Sequence, residues 1–219
     1  MISLTEENYL KAVFHLSEDG TRAVLTNDLA AEMNTKAASV TDMIKRLSGK
    51  GLVSYQKYYG VEITKSGKEE ALKIIRKHRL WETFLVDKLN FSWDEVHDVA
   101  EQLEHIRSPL LIEKLDEFLG YPKSDPHGEP IPDKNGKMLG LKKVPLSEAA
   151  PKRKSTLMAV KNDSPAFLQY LSKLGMRLGS KISIVNKTDF DGSQEILIDG
   201  KKKVFISYDA AKNLLVTTE

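Results

Sequence analysis

Residues 26–64 read TNDLAAEMNTKAASVTDMIKRLSGKGLVSYQKYYGVEIT, and this stretch decides the fold of the N-terminal part of the chain. Thr26 is a candidate cap for a short helix with Leu29, Ala30 and Met33 on one face. Asn34 and Thr35 make a turn, and a third helix runs from about Lys36 to Ser48 with Val40, Met43, Ile44 and Leu47 inward. Two short helices joined by a tight turn are the helix-turn-helix pattern. Gly51 stops the third helix, and Leu52 to Thr64 hold two β-prone runs around a turn near Gly60, which is a wing. Upstream, Thr5 is a candidate cap for a first helix with the stripe Tyr9, Ala12, Val13 and Leu16, ended by Asp19-Gly20. The segment is therefore expected to be a winged helix.

A winged helix meets DNA through the outward face of its third helix. Here that face carries Lys36, Ala38, Ser39, Thr41, Asp42, Lys45 and Arg46, with Lys57, Tyr58 and Tyr59 at the wing tip. Positions near the helix start suit base edges, and the hydroxyl and basic groups suit phosphates. The plainer reading is a three-helix bundle with a polar face. Charge distribution favours DNA: the chain's net charge is only +2, yet residues 36–79 hold a marked excess of Lys and Arg over Asp and Glu.

Further along, His78, Glu82, His97, Glu101, Glu104 and His105 stand out as side chains of metal-ligand type at helical spacing. His78 and Glu82 stand four apart on a helix expected over about 66–89. His97, Glu101 and His105 form an i, i+4, i+8 stripe on a helix expected over about 93–107, with Glu104 beside it. Two such helices facing each other would surround divalent cations with imidazole and carboxylate, a donor set for manganese, iron(II), cobalt, nickel or zinc. A solvated pair of charged helices is the bland alternative. The chain has no cysteine, so any metal must be held by nitrogen and oxygen.

A helix starting at Ser108-Pro109 and ending near Gly120 follows. Its Leu110, Leu111, Leu115, Phe118 and Leu119 exceed what a small domain needs and point to a homodimer seam. The turn-rich segment from Tyr121 to Pro132 contains Asp125 and His127, the latter readable as an exposed loop histidine or as a ligand. From Thr156 onward, short β-rich runs separated by Gly and Asp-Gly turns, with one helix at about 164–173, predict a small β-barrel.

The fold class is thus mainly α with β. The expected parts are a winged helix-turn-helix domain over 1–65, a helical metal-binding and dimerisation domain over 66–140, a linker over 141–153 and an SH3-like barrel over 154–219. The N-terminus lacks the basic start and apolar run of a signal peptide, and no stretch of ~18 apolar residues is present, so a cytoplasmic protein without membrane association is expected.

The run RKHRLWETFLVDKLNFSWDEVHDVAEQLEHIRSPLLIEKL, with TEENYLKAVFHL, SVTDMIKRLSGKGLV, SDPHGEPIP and LGMRLGSKISIV, resembles the diphtheria toxin repressor and manganese transport regulator family over essentially the whole chain. The resemblance implies a dimeric winged-helix repressor that binds operator DNA when loaded with manganese(II) or iron(II). It implies a primary metal site of Glu101, Glu104 and His105 with the helix-one position occupied by Asn8. The ancillary site would take His78, Glu82 and His97 in one branch of the family, or Glu82 with Asp125 and His127 in another. In longer members a side chain of the SH3-like domain completes this site. Asp163 is the positional candidate here, and it is equally readable as the cap of the following helix.

Two residues depart from the family pattern. Asn8 offers a neutral carbonyl oxygen where Asp or Met is usual, and Lys11 replaces a helix-one Glu that binds a second ion in some manganese sensors. Glu101 stands where iron-responding members place Cys, and a hard carboxylate favours manganese. The function expected is a metal-dependent repressor controlling metal homeostasis, with Mn(2+) as cofactor or Fe(2+) as the alternative, and with no small organic substrate. The rivals are a winged-helix protein with a purely structural metal and a metal-dependent hydrolase using Glu82 or Glu104 as base. The hydrolase lacks an HExxH motif and a phosphate-cradling loop.

Overall fold

The structure, a computed structural model, describes residues 2–56, 58–139, 142–151 and 153–218. It divides into two compact units. One comprises residues 1–78, 101–112 and 132–137, and the other comprises residues 79–100, 113–131 and 138–219.

In the first unit, helix α1 (Leu4–Leu16) begins two residues earlier than its sequence suggests. Ser3 and not Thr5 is the cap: its hydroxyl accepts from the Glu6 N–H, and the Glu6 carboxylate accepts from the Ser3 N–H at 2.7 Å. The helix buries Tyr9, Leu10, Val13 and Phe14. Helix α2 (Thr26–Glu32) is capped by Leu25 without a side-chain bond, so Thr26 is its first residue and not its cap. Asn34 turns the chain at φ +45°, and α3 (Ala37–Gly49) buries Val40, Ile44 and Leu47. Strands β1 (Val53–Gln56) and β2 (Gly60–Ile63) pair antiparallel as the wing. Val24 adds a third short edge through two 2.8 Å bonds with Val61. Lys57 lies outside the described residues.

Helix α4 (Lys65–Leu89) starts where Thr64 Oγ1 accepts from the Gly67 N–H at 3.1 Å. Helix α5 (Val96–Leu103) is shorter than the periodicity of 93–107 implied, and α6 covers Pro109–Phe118. Ser108 precedes a proline, a position where helical backbone is disfavoured, and it lies outside both helices. On α6, Leu110, Leu111 and Phe118 are exposed, whereas Leu115 turns inward at 6% exposure and leaves the expected seam.

In the second unit, strands β3 (Val144–Pro145), β4 (Lys154–Val160), β5 (Lys181–Lys187), β6 (Gln194–Ile198), β7 (Lys202–Ile206) and β8 (Leu214–Thr218) form one antiparallel sheet in the order β3-β8-β4-β5-β6-β7. Helix α7 (Pro165–Leu174) is closed by Gly175 in the left-handed conformation, and α8 (Tyr208–Lys212) precedes β8. The core is aliphatic, with Leu157, Leu168, Ile182, Ile196 and Leu214 almost fully buried. This is the SH3-like architecture expected. No helix among the described residues is long and apolar enough to cross a membrane.

Gly67 is where backbone meets backbone in the winged helix. A Cβ there would lie 1.9 Å from the Leu52 carbonyl oxygen. Helix propensity alone favours alanine over glycine by about 1 kcal/mol. We expect Gly67→Ala instead to destabilise the protein by roughly 1–3 kcal/mol, as overpacking does. Urea unfolding checks this, and a stabilised variant would show that α4 and the β1 entry are not in contact.

Candidate metal centres and nucleic-acid interface

Because α5 ends at Leu103, Glu104 and His105 lie in the turn that follows, and the expected i, i+4, i+8 stripe is broken at its last member. Glu104 is fully buried. Its carboxylate is held from two sides: Lys11 Nζ lies 2.8 and 2.9 Å from its two oxygens, and His78 Nδ1 lies 2.6 Å from Oε2. Burial alone would raise the Glu104 pKa, but the His78 and Lys11 contacts outweigh it and hold the carboxyl below its ordinary value. Lys11 also approaches Glu101 Oε1 at 3.4 Å.

His105 donates or accepts at Nδ1 with Glu7 Oε2 at 2.7 Å, while its Nε2 stands 4.0 Å from Glu104 Oε1. With the Nδ1 proton on the Glu7 side, Nε2 presents a lone pair towards the Glu104 carboxylate, the arrangement by which carboxylates orient metal-binding imidazoles. Asn8 Oδ1 is buried without a hydrogen-bond partner. Sequence reasoning missed Glu7, although its place beside Asn8 on α1 was a usable signal. Lys11, which cannot ligate a cation while protonated, is part of the cluster as a cation.

The second cluster assembles Glu82, Asp125 and His127, all buried, with one donor atom of each within 4.8 Å of the others. His127 Nδ1 is 3.6 Å from Glu82 Oε2, and His97 Nδ1 is 3.7 Å from Glu82 Oε1. His127 is 3% exposed, so it is not an exposed loop histidine. Its Nε2 pairs with the Trp93 carbonyl oxygen at 2.7 Å, which directs Nδ1 at the carboxylates. Asp125 Oδ1 accepts from the His127 and Glu129 N–H groups, and its Oδ2 lies 3.5 Å from Arg79 Nε. Arg79 also pairs with Glu129 and donates to the Pro130 carbonyl.

The SH3-like sheet clamps this loop. The Val160 N–H donates to the His127 carbonyl at 3.0 Å, and Gly128 lies so close to β4 that a Cβ would meet the Met158 carbonyl. Asp163 is exposed and stands one residue before Ser164, which takes the cap position of α7.

Burial and the neighbouring Glu82 carboxylate push Asp125 up to about 7, against the opposing pull of Arg79. Burial works against the His127 imidazolium, but Glu82 and Asp125 raise it to about 9. Both shifts mark a pocket short of positive charge. Two carboxylates and an imidazole suit a divalent cation. At Glu104 the Lys11 ammonium is a stand-in cation between carboxylates. Both clusters therefore fit a divalent ion by donor chemistry.

On α3, Lys36, Ala38, Ser39, Asp42, Lys45 and Arg46 are exposed, and Thr41 is half-buried with its hydroxyl donating to the Ala37 carbonyl at 2.9 Å. Lys36 is the cap residue of α3. Tyr58 is 86% exposed at the wing tip, at φ +75°.

The chain matches the N-terminal DNA binding domain of iron dependent repressors over residues 1–61, their metal binding and dimerisation domain over 64–133, and the FeoA domain over 144–218. It is 35% identical over 118 residues to an uncharacterized helix-turn-helix transcriptional regulator of Methanocaldococcus jannaschii, covering 54% of this chain and 94% of that protein. It is 26% identical to the iron-dependent repressor IdeR of Mycobacterium leprae, over 94% of both chains. Among solved structures, a manganese-dependent transcriptional repressor in complex with manganese superposes with a TM-score of 0.88 at 33% identity, covering 98% of this chain and all of the other. These relatives are regulators of transcription and not enzymes, which removes the hydrolase reading.

Two outcomes are expected. Lys45→Ala and Arg46→Ala should each weaken specific and random DNA alike and flatten the salt dependence by roughly one unit per lost phosphate contact; filter binding across a salt series measures it. The second concerns pH. Asp125 and His127 hold their protons more tightly in the metal-free fold than at the ordinary values of 3.8 and 6.5. Their stabilisation is therefore complete below those values and is lost as pH rises through about 7 and about 9 respectively. Thermal melts of metal-free protein should show stability falling across that window, while metal affinity rises as the ligands lose their protons. Loss of the fall above about pH 7 in His127→Gln, with the lower step kept, identifies His127 as the source of the upper step.

Proposed function

The chain belongs to the diphtheria toxin repressor and manganese transport regulator family of metal-dependent transcriptional repressors, and from that premise we propose that it is a homodimeric repressor activated by manganese(II). The observation that carries the reading is the buried Glu104 carboxylate with Glu101 and His105 around a positive charge. The donors are oxygen and nitrogen without sulfur. Hard carboxylates accept manganese readily, and the general affinity order alone gives softer metals less advantage here than a thiolate would. Glu82, Asp125 and His127 are proposed as the second site, with His97 beside Glu82.

The proposed ligands come from two elements far apart in sequence. Asn8 rides on α1, and Glu101, Glu104 and His105 sit at the end of α5 and in the turn beyond. A bound divalent ion supplies a shared positive charge for these donors. Asn8, Glu101, Glu104 and His105 would hold such an ion together, and sharing it would fix α1 against the Glu101–His105 segment. Helix α1 in turn packs on α2 and α3, and Glu6 pairs with Lys50 at the end of α3 at 2.7 Å. Position is thus passed to the helix that carries Lys36, Lys45 and Arg46. DNA prefers the placement that the metal favours, and by linkage DNA tightens metal binding. Leu110, Leu111 and Phe118, exposed on α6, are proposed for the dimer seam.

Iron(II) is the competing reading of the same donors. It is supported by the likeness to iron-dependent repressors and stands above manganese in the affinity order.

In a gel shift on operator-like DNA, retardation should require manganese and should disappear in Glu104→Gln. Retardation without metal would instead indicate a structural metal or none. Asn8→Asp, which adds a charge, should raise manganese affinity by roughly tenfold, the factor that about 1.4 kcal/mol represents. Glu101→Cys should shift activation towards iron(II), cobalt and nickel. An unchanged rank of metals in that variant would remove Glu101 as the selectivity residue.

A further inference from the structure

Lys11 is one of the two departures from the family pattern, and the structure places it at the centre of the Glu104 cluster. Its Nζ contacts both Glu104 oxygens and approaches Glu101, with only 13% of the side chain exposed. A carboxylate has about four lone-pair sites. Lys11 takes two of those on Glu104 and His78 takes a third. A divalent ion on this carboxylate would contend for the same lone pairs. It would also stand within a few ångströms of an ammonium in a buried setting, where like charges repel strongly. With three of the roughly four sites taken and an ammonium alongside, a divalent ion on Glu104 gains by displacing Lys11, and the two compete for the carboxylate.

We infer that Lys11 is a tethered competitor of the activating metal: its ammonium closes the carboxylate site when metal is scarce and swings away on its flexible stem when metal binds. The inference rests on the reading above that Glu104 holds the activating ion. Competition of this kind lowers apparent affinity by the fraction of protein in the open form, so an open form at roughly one part in ten weakens binding about tenfold. Lys11 then sets the metal concentration at which the repressor switches, without being a ligand. This gives the chain a way to tune its threshold at a position one helical turn from Asn8.

The test is a manganese titration of the metal-free full chain, followed by the electron paramagnetic resonance signal of unbound ion, for the wild type, Lys11→Gln, Lys11→Arg and Glu104→Gln. Lys11→Gln should bind manganese roughly tenfold more tightly, the gain expected when a net charge-assisted contact of about 1.4 kcal/mol no longer has to be broken. Lys11→Arg, which keeps the charge, should stay close to the wild type, and Glu104→Gln should lose the affected class of site.

Equal or weaker binding by Lys11→Gln, with the site still lost in Glu104→Gln, overturns the competitor role while leaving the metal site in place. Retention of that site in Glu104→Gln overturns the metal reading itself. A measurement on the wild type guards against a misfolded variant: pulse acylation of lysines, read by mass spectrometry, should label Lys11 faster when manganese is added, with Lys73 as an unchanged reference. Unchanged Lys11 labelling at saturating manganese overturns the inference.

Discussion

A carboxylate removed from water must be met by positive charge, and the first unit is organised around one such group. Glu104 has no exposed surface, and an unpaired charge in its place would cost several kcal/mol. It is satisfied by Lys11 from α1 and His78 from α4. Three sequence-remote segments therefore meet at one carboxylate. Anything that changes what sits on Glu104 changes how α1 is held, and α1 packs on the helices of the DNA-binding face. A cation-sensitive switch needs that coupling between a charge and a recognition element.

The second unit solves a different problem with the same physics. Glu82 and Asp125 are buried side by side, and their mutual repulsion is relieved by Arg79, by protonation of His127 and by the raised pKa of Asp125. The geometry is held by main-chain groups more than by side chains. The Trp93 carbonyl fixes the His127 ring, the Val160 N–H fixes its carbonyl, and Gly128 allows close approach of β4. The SH3-like sheet thus shapes this cluster through its backbone, whether or not Asp163 has any part in it. Trp93 strengthens the connection by stacking on His127 while its Nε1 donates to Ser172 Oγ at 3.0 Å.

Both clusters are built from nitrogen and oxygen donors in a chain without cysteine. They differ in rigidity. The Asp125–Glu129 loop is locked by its own N–H bonds and by the sheet, whereas the Glu104 cluster contains a long, flexible lysine stem. The Glu104 cluster is the one that shares α1 with the winged helix.

Local periodicity and composition determined a great deal by themselves: the helix-turn-helix with its wing, the long α4, the β-rich C-terminal part and a metal-type cluster with no sulfur. These features were legible because each is written in residues a few positions apart, where the 3.6 and 2.0 periods and turn residues act. The first helix starts at Ser3 because Ser3 and Glu6 form a reciprocal capping box, while α2 starts after Leu25 with no side-chain cap, against the intrinsic preference for Thr26. Helix α5 is shorter than its periodicity suggests at both ends, spanning Val96–Leu103, with the buried Glu104 in the turn that follows. Only tertiary structure decided that Lys11 sits on a carboxylate 93 positions away, that Glu7 orients His105, and that a main-chain carbonyl at Trp93 aims His127. Such pairings depend on the meeting of elements remote in the chain, and no local pattern records the distance between them.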